Sequence, residues 1–267
     1  MSAEASTLEP PIPAASEAVR PPPPRSAVIE YAESLLVTVL LALFGTTFIV
    51  QAFKIPSQSM EPTLLVGDHL LVNKFIFEGR GAWFEKFLPY RPVRRGDIIV
   101  FKFPYDDHPH YVKRVIGLPG DRIRIINERV YIDGQPLDEP YVVHDPAGAD
   151  SFGDNFPPPN RYFPESGLRP EWATRLLDYV DRGSLVVPPN RYFVMGDNRD
   201  RSWDSRYWGF VNRDAIMGRP LVIYWSVDAT SKDYTDRGLS GTMRGFTDSL
   251  LHLPSRTRWN RMLHEVH

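Results

Sequence analysis

Two serines, Ser57 and Ser59, stand two apart between Pro56 and Pro62 in the stretch IPSQSMEPTL, residues 55–64. Residues two apart share one side of an extended backbone, so two hydroxyls face the same way. A serine hydroxyl is a weak nucleophile at neutral pH until a neighbouring base takes its proton. A stretch rich in Ser and Pro is equally what an ordinary loop looks like, so the pair needs a partner. The histidines offer no obvious base. His108 and His110 form a His-x-His near a strand, with no acidic or metal partner placed by spacing. The alternative base is a lysine kept neutral by desolvation. Lys113, in Tyr111-Val112-Lys113-Arg114-Val115-Ile116, lies in an apolar strand run that can bury it, and strand alternation sends Arg114 to the other face. The competing possibility is a Lys–Arg pair on a solvated sheet face. A third constellation runs from Gly196 to Gly209, GDNRDRSWDSRYWG. It suits a tight, charge-paired turn. It also suits a loop in which Ser202 orients the lysine while Asp204 and Arg206 brace it, as proton transfer between fixed groups requires.

The elements that must position these residues are mostly strands. HLLVNKFIF (69–77), DIIVFKF (97–103), YVKRVIGL (111–118), DRIRIINERVYID (121–133), NRYFVMGD (190–197) and RPLVIYWSV (219–227) are β-rich runs bounded by Gly, Pro and Asp. Helices of ten residues do not alternate with them, which excludes a doubly wound α/β sheet. One helix is predicted from Pro170 to Val180, with Pro at its start and Gly183 just past its end. It lies in an irregular stretch, 140 to 189, that has the character of an insertion between sheet strands.

Ahead of the strands, Leu35 to Phe53 is a run of nineteen uncharged residues. As a helix rising 1.5 Å per residue it would span roughly the 30 Å hydrocarbon core of a bilayer, and no small-x-small cleavage site follows Phe53. Arg20 and Arg25 precede the run and Lys54 follows it, a slight bias toward a cytoplasmic N-terminus. Residues 1–26 hold seven prolines and too little apolar surface to fold. At the other end, RTRWNRMLHEVH (256–267) sets basic residues beside Trp259, Met262 and Leu263, as either a solvated terminal helix or a segment resting on a membrane would.

Composition narrows the chemistry. The 267 residues carry 31 Lys plus Arg against 33 Asp plus Glu, a net charge of −2, which gives no global attraction to nucleic acid. The 42% hydrophobic content belongs to a folded protein. Without cysteine, a disulfide framework, a thiolate zinc site and a cysteine nucleophile are all excluded.

Taken together, PSxSMxPTLxxGD from Pro56, RGDIIVFKFP from Arg95, YVKRVIGLPGD from Tyr111 and GDNRDxSxDSRYWGFV from Gly196, in this order behind an apolar span, resemble the bacterial type I signal peptidases, or leader peptidases. The resemblance covers about 35–135 and 185–227. It implies Ser59 as nucleophile and Lys113 as general base, where relatives of the eukaryotic endoplasmic reticulum carry histidine. It implies an oxyanion hole from the Ser57 hydroxyl and the Ser59 N–H, with Ser202 hydrogen-bonded to the lysine amine and Asp204 paired with Arg206. Phe53, Ile55, Pro56, Met60, Leu64, Tyr111 and Val112 would line shallow substrate pockets, and no metal or cofactor is needed. The fold implied is mainly β: a coiled antiparallel catalytic sheet (54–133 and 190–230), an inserted smaller β-rich domain (134–189), an anchor (27–53) and a C-terminal tail (231–267) with room for a helix. The implied partners are preprotein signal peptides, the lipid bilayer and the secretion translocon, with the catalytic domain outside the bacterial plasma membrane.

Other enzymes and a non-enzyme share parts of this pattern. A self-cleaving repressor-type protease would carry a DNA-binding head rather than a membrane span. A β-lactamase-like site would show Ser-x-x-Lys spacing, which Ser59 lacks. A peptidase dedicated to one secretion system has the same motifs. A membrane-anchored binding module with a degenerate site would not need Ser59, Lys113 and Ser202 together.

Overall fold

The computed structural model describes residues 26–45, 50–77, 91–105, 110–145, 151–158, 167–229 and 253–266. The Pro-rich 1–25, His108 and the segment 230–252 lie outside these residues.

A helix, α1, runs from Ala27 to Phe44 with none of its residues buried. Its 18 residues have a mean hydropathy of 1.9 and are long and apolar enough to cross a membrane. It ends sooner than the uncharged run does: Val50–Lys54 forms strand β1 instead. The sequence-based anchor reaching Phe53 is corrected accordingly. Length and lack of charge do not distinguish a helix from a strand, and Val50–Lys54 is held by antiparallel pairing with His69–Asn73.

The remaining strands of the large sheet are β2 (Asp68–Asn73), β3 (Ile98–Lys102) and β4 (His110–Gly117), then β5 to β9 of a second sheet, then β10 (Arg191–Met195), β11 (Val211–Asn212), β12 (Ile216–Ser226) and β13 (His264–Glu265). The large sheet has the order β1-β2-β12-β3-β4-β10-β11, with β13 also paired to β12. Its pairs are antiparallel. The eleven-residue β12 does the bending: its start pairs with β3 and its later part with β2, with register shifts along the way. Bulges of that kind turn a strand and increase its twist. Gly218 sits at one of them, where a Cβ would come within 2.2 Å of the Asn73 carbonyl oxygen.

The second sheet has the order β7-β6-β5-β9-β8, from β5 (Arg122–Ile126), β6 (Arg129–Ile132), β7 (Gln135–Pro136), β8 (Val180–Asp181) and β9 (Ser184–Val186). What the sequence presents as one strand over 121–133 is therefore a hairpin. Asn127 and Glu128 turn it with φ of 47° and 69°, the left-handed pair of a two-residue hairpin turn. Because the second residue is Glu rather than Gly, the usual turn signature is missing. The sheet also begins before the expected domain boundary at 134. Ile123, Ile125, Val130 and Leu185 share one buried cluster with Val115, Ile116 and Phe193 of the large sheet, so the two sheets have a common core. Within the insertion the helix stops at Arg175 and tightens into a 3-10 turn over Leu176–Tyr179, while Gly183 belongs to the β8–β9 turn.

Residues 264–266 of the expected C-terminal tail (231–267) are packed onto the large sheet. β13 pairs with Val222 and Ile223, and Val266 is buried with Ile55, Met60, Leu64 and Leu70. A short helix (Leu253–Arg256) and a 3-10 turn (Trp259–Arg261) precede it.

Candidate active site

β4 lies inside the sheet between β3 and β10, and its consecutive residues Lys113–Gly117 are all buried, so both of its faces are covered over that stretch. This decides between the two possibilities for Lys113 and Arg114: they point to opposite faces and both are buried, at 3% and 4% exposure. Lys113 Nζ donates to Ser59 Oγ at 2.5 Å. Burial pushes its pKa from 10.5 down to about 8, the attraction of Asp204 and Asp197 opposing that fall and Arg206 adding to it.

Ser59 sits in a 3-10 turn, Gln58–Met60, in the loop between β1 and β2. At the start of such a turn the first N–H groups have no partner within it, leaving the Ser59 N–H unspent by the turn. Ser57 occupies the N-cap position without a side-chain capping bond, and its Oγ lies 3.3 Å from Ser59 Oγ. Two potential donors thus flank the hydroxyl.

The loop after β10 holds this pair from behind. Gly196 packs so closely that an added Cβ would fall 2.3 Å from the Ser59 carbonyl oxygen and 2.3 Å from Ser202 Oγ. The Asn198 N–H donates to the Ser59 carbonyl at 3.2 Å. Ser202 Oγ accepts the Gly196 N–H at 3.1 Å and is hydrogen-bonded to the Asp204 carboxylate. Among the described residues its hydroxyl is thus held by Gly196 and Asp204 rather than by the amine of Lys113. Asp204, fully buried, accepts from Arg206 Nε at 2.9 Å and Nη2 at 3.0 Å. Burial drives its pKa up, but Arg206, Ser202 and the Gly196 N–H together hold it below the usual carboxylate range.

Sequence reasoning did not single out the ion pair on the other face of β4. Arg114 donates to Asp197 through Nε at 2.8 Å and Nη2 at 2.7 Å, and its guanidinium lies 3.9 Å from the centre of the Tyr141 ring. Thr63 Oγ1 donates to the same carboxylate at 2.6 Å, which joins the serine loop to the Gly196 loop. The usable signal was the alternation itself: it puts Arg114 on the face opposite Lys113, and once that face is covered a guanidinium needs a carboxylate.

A groove of about 250 Å³ opens beside Ser59 and Lys113. Of the expected lining residues, Phe53, Ile55, Pro56, Met60, Tyr111 and Val112 border it, joined by Lys54 and His110. Leu64 does not border it; it is fully buried with Ile55 and Met60. His110 meets Phe53 edge to face at 5.4 Å. Burial, and after it Lys102, lowers its pKa, and its place is the groove rim rather than the serine.

Residues 28–225 match the family model described as "Signal peptidase, peptidase S26". The chain is 34% identical to a signal peptidase I of Leptolyngbya laminosa over 85% of this chain and 95% of the relative. Against a signal peptidase I of Pseudomonas aeruginosa it is 35% identical over 74% of this chain and 73% of the relative. A "Probable signal peptidase I-2" of Synechocystis sp. is 34% identical over 77% of each. With its buried lysine against a loop serine, and a family match over most of its length, this chain belongs to the signal peptidases, peptidase family S26.

Proposed function

We propose that the chain is a membrane-anchored endopeptidase that removes signal peptides from preproteins, with Ser59 as nucleophile and Lys113 as its base. One observation carries this: an amine at 3% exposure placed 2.5 Å from a serine hydroxyl. At the ordinary lysine pKa of about 10.4 almost no free amine exists at pH 7, so burial is a requirement of the chemistry.

The steps follow from the positions of these groups. Neutral Lys113 takes the Ser59 proton as Oγ attacks the scissile carbonyl, and the oxyanion develops toward the Ser59 N–H and the Ser57 hydroxyl. Such a donor is worth about 2.7–4 kcal/mol where charge develops. The ammonium then gives its proton to the leaving amine, and water, deprotonated by the same lysine, hydrolyses the acyl-enzyme. Ser202, Asp204 and Arg206 act behind the amine, fixing the loop against which Lys113 and Ser59 meet.

The substrate enters as an extended strand. β1 is an edge of the sheet, and an exposed edge accepts a further strand through its free backbone groups. A groove bordered by Ile55, Met60 and Val112 suits small side chains, matching the small-x-small site of secretory signals. Helix α1, unburied and apolar, fits a bilayer span, with the N-terminus cytoplasmic by the Arg20, Arg25 and Lys54 balance and the β-sheets on the extracytoplasmic side. Sharing a bilayer with the signal raises the effective concentration of substrate without any added contact.

The test is to incubate the detergent-solubilised protein with signal peptides varied at the two small positions and to locate cleavage by mass spectrometry. Single cuts after small-x-small, lost in Ser59→Ala, are expected. Absence of cleavage across the panel, or equal cleavage with bulky residues at both positions, overturns the proposal.

A further inference from the structure

The loop that carries Ser59 leaves the sheet at Lys54 and rejoins it at Asp68, so its position depends on what holds it between those points. Asp197 holds it on one side through Thr63. On the other side stands Asp68, whose side chain is 0% exposed. Its Oδ2 accepts the Leu65 N–H at 2.8 Å and Arg261 Nη2 at 2.7 Å. Its Oδ1 accepts Ser226 Oγ at 2.6 Å and Arg261 Nε at 3.3 Å. The same Arg261 Nη2 also donates to the Thr63 carbonyl at 3.0 Å. Arg258 Nη1 donates to the Val66 carbonyl at 3.0 Å. One planar guanidinium thus grips a buried carboxylate and a loop carbonyl together, from 193 positions further along the chain.

The turn bearing these arginines is itself fixed. The Leu263 N–H donates to the Ile223 carbonyl at 2.7 Å, and the Val266 N–H to the Leu221 carbonyl at 3.0 Å. The path to the nucleophile is short, because the Leu64 N–H closes back onto the Met60 carbonyl at 2.9 Å. Thr63 cannot shift without moving the turn that presents Ser59.

We infer that the C-terminal turn Trp259–Arg261 is a positioning device for the nucleophile, with Arg261 as its central residue acting through Asp68 and Thr63. The catalytic role it serves rests on the function proposed above. A lysine in its place keeps a charge near Asp68 but has no fork to span both acceptors. A displacement of about 1 Å at a reacting group costs on the order of a hundredfold in rate.

The experiment uses the full chain in detergent micelles with Arg261→Lys, and with Asp68→Asn/Arg261→Met, which removes both charges together. Two readouts are taken. In signal-peptide cleavage, Arg261→Lys is expected to lower kcat about ten- to hundredfold with KM within about twofold. The pH of half-maximal rate should move in the alkaline direction as Lys113 gains access to water. The second readout needs no substrate: the chain has no cysteine, so Ser59→Cys introduces a single thiol beside Lys113. The pH midpoint of its alkylation should rise when Arg261→Lys, or the double change, is added. A chain that cleaves no signal peptide would sink the proposed function while the alkylation midpoint still decides this inference. Unchanged kcat in folded Arg261→Lys, a fall in active fraction with no movement of either pH midpoint, or an unmoved thiol midpoint overturns it.

Discussion

Replacing Lys113 by Met should abolish turnover and yet stabilise the folded protein at neutral pH. The magnitude follows from the amine's surroundings. Its pKa falls from 10.5 to about 8 on folding, chiefly because burial disfavours the charged form. At about 1.4 kcal/mol per tenfold change in proton affinity, the charged lysine therefore opposes folding by about 3 kcal/mol. The sign follows from proton counting. Below pH 8 the amine is protonated in both states and the full cost is present. Between pH 8 and 10.5 the unfolded chain binds a proton that the folded one does not, so stability rises with pH. Above 10.5 both states are neutral and the cost is gone. Met is apolar and nearly isosteric but forfeits the hydrogen bond to Ser59 Oγ, worth about 1 kcal/mol. The expected result is a variant about 2 kcal/mol more stable than wild type at pH 7 and no more stable above pH 10.5. Urea unfolding of both proteins in the same micelles, followed by tryptophan fluorescence at several pH values, measures the difference and cancels groups that titrate alike in both. Parallel stability curves, or a variant less stable than wild type at pH 7, would refute the assignment of Lys113 as a desolvated amine.

Other expectations concern the same loops. The cleavage rate, kcat/KM, should rise with pH through an inflection near 8 as Lys113 loses its proton; a profile flat from pH 6 to 10 would contradict a lysine base. Lys113→Arg should be inactive despite its charge, because a guanidinium stays protonated, and peptide cleavage by that variant would remove the base assignment. Gly196→Ala should lower kcat about a hundredfold while the protein stays folded, since its Cβ would press on the Ser59 carbonyl; wild-type kcat would show that the loop yields freely. Asp197→Ala should cost about 3–5 kcal/mol of stability in urea unfolding, because the buried Arg114 guanidinium loses its carboxylate; a loss under 1 kcal/mol would mean that the pair contributes little.

Some of this protein was written in residue type and spacing alone. A hydroxyl needs a base, histidine was not suitably placed, and Lys113 stood in an apolar strand run that could bury it; alternation put Arg114 on the other face. The motif order carried the family, and β-branched runs between Gly, Pro and Asp carried most strands, because those signals are local. Tertiary contacts decided the rest. Whether Lys113 was buried or solvated depended on what packs over each face of β4, which the strand itself does not encode. Val50–Lys54 became a strand only because β2 lies beside it, the Asn127–Glu128 turn became a hairpin because β6 folds back on β5, and Ile123, Val130, Phe156, Trp172 and Leu185 share one core with the large sheet. Ser202 met Gly196 and Asp204 instead of the amine, and Arg261 met Asp68 from 193 positions away. Hydrogen bonds and burial between segments far apart in sequence leave no periodic trace in either segment, so only the folded chain could reveal them.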